Sequence, residues 1–72
     1  MKLKPMQSVV FEPEWAENKK LDKRHPLKYG ELVLFLGEMK DVPGHCAVAT
    51  YDGRVVLMVH PGDFRRAKED EL

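Results

Sequence analysis

The dipeptide Asp52-Gly53 constrains this chain more than any other feature, because it stands between two apolar runs, residues 45–51 and 54–60. Asp-Gly in that setting is the strongest short-range signal of a β-hairpin, since the turn needs positive φ angles that glycine adopts freely. A two-residue turn pairs Tyr51 with Arg54. Turn length then fixes the register, so Thr50 meets Val55, Val48 meets Leu57 and Cys46 meets Val59 on one face, taken as the core. The opposite face carries Ala49 with Val56, Ala47 with Met58, and His45 with His60.

Other segments join this hairpin. Residues 31–36, ELVLFL, read as a strand that Gly37 ends, and residues 38–44 as a loop closing at Pro43-Gly44. Pro61-Gly62-Asp63 breaks the third long strand, and residues 64–67 form a short closing one. Upstream, residues 8–11 suit a short strand. Pro13 suits the first position of a helix, with Glu14 and Glu17 near its positive end. The stretch 19–24, KKLDKR, has no continuous apolar stripe, so residues 12–24 are either a short helix or a mobile arm. The fold class is therefore mainly β: a small SH3-like antiparallel barrel of four or five strands over residues 29–72, preceded by an N-terminal arm over residues 1–28.

The sheet so drawn is greasy on both sides. Leu32, Leu34 and Leu36 face one way and Val33 and Phe35 the other. A sheet apolar on both faces needs a cover, and that cover is either the arm, through Val9, Phe11 or Trp15, or a partner protein.

Size narrows the function classes. A chain of 72 residues makes one domain, burying roughly 60% of its unfolded surface. Ligand pockets start near about 300 Å³, a large share of so small a core, which favours a binding module over an enzyme. The lone Cys46 excludes an internal disulfide and suits a reducing compartment. The opening residues MKLKPMQSVV lack the apolar run of a secretory signal, so a cytoplasmic setting with no membrane association is expected. The ending Glu69-Asp70-Glu71-Leu72 has the outline of a retention tail but reads as an acidic end. Net charge is zero, yet unevenly laid out: residues 1–28 hold seven Lys/Arg against four Asp/Glu, and residues 29–64 hold two against five. A basic arm thus precedes an acidic barrel, suited to lie on it or to reach an acidic partner or a phosphate backbone.

The run Val42-Pro43-Gly44-His45-Cys46-Ala47-Val48-Ala49-Thr50, the turn Asp52-Gly53, then Pro61-Gly62-Asp63-Phe64 and Asp70-Glu71-Leu72 carry a resemblance. Over about residues 30–72 the chain resembles the SH3-like barrels of the electron-transport accessory superfamily, of the kind found in photosystem I. The resemblance implies a barrel that docks and positions larger proteins without being a catalyst, and a short helical turn after the last long strand. By size and texture alone, the chain is also similar to small phage-encoded regulators that bind RNA polymerase.

Single residues suggest less. His45 and His60 face each other across the hairpin, and His25 is unplaced. Zinc needs four convergent ligands, so the pair reads as two strand-end histidines, and no metal or cofactor is expected. Cys46 points into the core, where a thiol is structural rather than nucleophilic. Lys19, Lys20, Lys23 and Arg24 are the densest basic cluster, with Trp15 nearby and Arg65 and Arg66 as an extension. Tyr29 and Met58, with Ala47 and Phe35, are candidates for an apolar contact surface. The expectation is a non-catalytic protein-binding module that docks on and regulates a larger assembly, most concretely a transcription complex containing RNA polymerase. The alternatives are a direct nucleic-acid binder and an accessory component of a redox or photosynthetic complex.

Overall fold

Five strands form one antiparallel sheet in the computed structural model, which describes residues 3–72: β1 (Gln7–Phe11), β2 (Leu32–Glu38), β3 (Cys46–Thr50), β4 (Val55–Val59) and β5 (Phe64–Arg66). Their order across the sheet is β4-β3-β2-β1-β5, so the molecule is a mainly-β, barrel-like domain as expected. Short 3₁₀ turns at Glu17–Lys19, Pro61–Asp63 and Glu69–Glu71 supply the only helical geometry among the described residues. Residues 12–24 form no α-helix; Asn18 and Lys19 both take positive φ there, which ends helical winding.

β1 lies between β2 and β5, within the stretch read as an arm. Its alternation sends Val9 and Phe11 inward to join Val33, Phe35, Cys46, Val48, Val56 and Phe64 in the core. Val9 and Phe11 therefore fill the main core and do not cover the second sheet face, as one of the expected arrangements had it. Phe11 and Phe64, paired across β1 and β5, bring their rings to 5.1 Å.

The hairpin turn sits one residue from its expected place. Thr50 pairs with Arg54: its N–H donates to the Arg54 carbonyl at 2.8 Å, and its Oγ1 accepts the Arg54 N–H at 2.9 Å. The Thr50 hydroxyl also donates to Asp52, whose carboxylate accepts from Arg54 Nε at 3.0 Å. This polar cluster closes a three-residue loop, Tyr51-Asp52-Gly53, with Gly53 at φ +95°, the left-handed position such loops require. The pairs become Ala49 with Val55 and Val48 with Val56. β3 keeps its expected inner face of Cys46, Val48 and Thr50, but on β4 Val56 turns inward in place of Val55 and Leu57. A bulge then restores Cys46 opposite Val59, with Met58 at φ +64°. β2 also runs past Gly37 through a second bulge rather than ending there.

β1 and β2 are joined by a long loop over residues 12–31. Its two ends are tied by Gly30 N–H donating to the Phe11 carbonyl (2.7 Å) and Phe11 N–H donating to the Glu31 carbonyl (3.0 Å). Leu27, fully buried, pins the middle of the loop in the core, and Leu21 packs against it. Arg54 clasps the loop from outside, donating to the Pro26 carbonyl and to Glu31.

Candidate functional site

The register aligns one row of residues across four strands on the face away from the core: Ser8, Leu34, Ala49 and Val55. Val55 is 61% exposed at the end of that row. Alternation aims Leu57 the same way, and it is 56% exposed, with Met58 at 52% beside it. Tyr51 lies exposed above the row, its hydroxyl 3.0 Å from Ser8 Oγ. β4 is an outer strand, so these apolar side chains flank backbone groups with no strand neighbour on one side among the described residues. The accessible surface of the chain is 5428 Å², against about 4,600 Å² expected of a folded monomer of its mass. The radius of gyration, 11.5 Å, matches the about 11 Å of a compact chain this long.

A second surface belongs to the β1–β2 loop. It encloses an open cleft of about 350 Å³ lined by Lys19, Leu21, Asp22, Lys23, His25, Leu27, Lys28 and Tyr29. His25 is held in place by stacking on Phe11 at 5.3 Å and by its Nδ1, which lies 3.1 Å from the Leu27 N and 3.2 Å from the Leu27 carbonyl. Trp15, 57% exposed, sits edge-on to Phe11 at 6.4 Å and 6.1 Å from His25. Asp22 begins the turn by accepting the Arg24 and His25 N–H groups. Loops longer than about 15 residues are uncommon in compact domains and are usually either functional or linker-like, and this one is anchored to the core by Leu27.

Of the predicted residues, the fold gathers Lys19, Lys23 and Tyr29 around this cleft, and places Lys20 and Arg24 exposed in the same loop. Met58 lies exposed on β4 and Tyr29 lines the cleft, while Phe35 is buried in the core and offers no contact surface. Arg65 is fully engaged: its guanidinium makes paired hydrogen bonds to Glu12 (2.8 and 3.0 Å) and to Glu71 (2.7 and 2.7 Å). Arg66 is exposed at the end of β5. Lys28 and His25 were missed as cleft residues, because only a loop that returns to the sheet brings them back over Lys19; the spacing of Phe11 and Leu32 held no sign of that return.

Two further groups are placed as chemistry rather than surface. The His45 and His60 rings touch, with centroids 4.4 Å apart, and His45 Nδ1 lies 3.0 Å from the Pro43 carbonyl. No group of three or more metal-ligating side chains forms among the described residues. Cys46 is fully buried, and burial, helped by the charges of Glu38 and Asp63, pushes its thiol up to about 11, which keeps it protonated and unreactive at neutral pH.

The fold and these surfaces define a class, a small five-stranded antiparallel domain with an apolar outer strand and a basic connecting loop. No family profile, curated protein or solved structure matches the chain. No helix among the described residues is long and apolar enough to cross a membrane.

Proposed function

We propose that this chain is a non-catalytic module that docks through β4 on the protein part of a larger assembly, a transcription complex being its most concrete form. The observation that carries the reading is the run Val55, Leu57 and Met58, all more than half exposed on a strand whose outer edge is unpaired among the described residues. Exposed apolar groups beside open backbone donors and acceptors suit the addition of a partner strand, in which main-chain hydrogen bonds give affinity and alternate side chains give specificity. Arg54 directly precedes β4 and ties the loop that carries the cations to that end of the strand, through the Pro26 carbonyl and Glu31. An assembly of protein and nucleic acid offers a complement to both.

Affinity purification from native lysate, comparing the natural chain with Val55→Glu/Leu57→Glu, tests this. The expected result is a defined protein partner, retained after nuclease treatment, that the double variant loses while its thermal midpoint stays within a few degrees. Identical protein sets for both chains refute the docking role of β4. Recovery of RNA polymerase with the natural chain supports the transcription form.

A further inference from the structure

We propose that the β1–β2 loop is a binding site for single-stranded nucleic acid, with a base seated in the cleft and the flanking phosphates held by Lys19, Lys23 and Lys28. The charge is concentrated here: residues 19–28 hold five Lys/Arg and one Asp, in a chain of net charge zero. These cations are also available. The ion pairs among the described residues use Arg54 and Arg65 and none of the loop lysines. Asp22, the one acid among them, has its carboxylate turned to the Arg24 N–H.

The cleft walls say which form of nucleic acid fits. Half-buried Leu21 and Tyr29, backed by the core residue Leu27, give apolar lining beside the cations, in a volume of about 350 Å³. A duplex shows a protein its phosphates and groove edges, and apolar walls gain nothing from it. A single strand splays its bases, and each has a flat face to bury or stack. Trp15 stands exposed at the cleft's border, braced by Phe11 and His25, as a stacking platform for the neighbouring base. Lys19 is moreover held at φ +58°, a costly conformation for a lysine, of the sort that gathers at ligand sites.

The site lies on the loop and does not depend on β4 engaging a protein, so its test is separate. Fluorescence anisotropy of the purified chain with labelled dT15 and rU15 is the measurement. Binding to either strand, DNA or RNA, supports the site. Three or four phosphates neutralised predict an affinity about 20- to 50-fold weaker at 200 than at 50 mM salt. Trp15→Ala is expected to weaken binding about five-fold or more with the salt slope unchanged. Lys23→Gln/Lys28→Gln, at exposed positions where the fold is indifferent, is expected to lower both affinity and slope, and it decides the matter should the tryptophan variant fail to fold. A 15-base-pair duplex should bind at least ten-fold more weakly. No anisotropy change at 50 mM salt and 100 µM protein, equal affinity for the duplex, or binding indifferent to the lysine pair overturns the proposal.

Discussion

Thr50 shows how far a single side chain reaches. Its hydroxyl accepts the Arg54 N–H and donates to Asp52, and this sets which β4 residue enters the core. Thr50→Val keeps the shape and removes the hydroxyl. It should cost about 1 kcal/mol, the usual worth of a hydrogen bond lost at such a site, as read from urea unfolding. The shifted turn also loses its reason, so amide NMR of the variant should show cross-strand contacts between Val48 and Leu57 in place of those between Val48 and Val56. Unchanged contacts would show that backbone alone sets the turn. Asp52 takes part in the same cluster: hydrogen bonds from Thr50 and then Arg54 hold its carboxyl below the usual range.

Among the elements, β4 has the plainest division of labour. Val56 is 7% exposed and its neighbours more than half. Val56→Ala deletes two buried methyl groups' worth of packing and should cost about 2 kcal/mol, whereas Leu57→Lys should change stability by less than about 0.5 kcal/mol. Equal effects in thermal melts would contradict the observed alternation. All five strands were legible in the sequence, because apolar runs and the breakers Gly53 and Pro61 mark them directly. The inner face of β3 was legible for the same reason. The inner face of β4 was not, since the choice between a two- and a three-residue turn rests on the Thr50–Asp52–Arg54 cluster, a three-body contact that propensity does not encode. The cleft was half legible: the basic cluster stood out, while its concavity arises only when Leu27 is drawn into the core.

For the whole molecule, stability is a thin margin. At about 0.05–0.15 kcal/mol per residue, 72 residues give a total of about 4–11 kcal/mol. Phe11→Ala, expected to cost about 3–5 kcal/mol, takes a large share of it, and circular dichroism should show a midpoint lowered by more than about 10 °C; a cooperative melt near the natural midpoint would count against the core as described. The acid response is set by Arg65. Its hydrogen bonds, then that of the Lys68 N–H, bring Glu71 down to about 2, and Arg65 lowers Glu12 as well. Carboxyls depressed in the folded state stabilise it above their unfolded value near 4.5, and that contribution disappears as pH falls toward 2. Glu71→Gln should therefore flatten the loss of stability between about pH 4.5 and 2, measured by urea midpoints across that range. An unaltered slope would show that solvent screens the pair entirely.

The placement of β1 between β2 and β5 has a consequence for how the chain is made. Val9 waits for Arg66, its neighbour across the ladder but far along the chain, until that residue has been synthesised. In the interval the β1 side that β5 will later cover presents bare amides and carbonyls, a template for a stray strand from another nascent molecule. Emergence of β5 is thus the event that seals this seam, and a chain truncated just short of Phe64 would be left sticky.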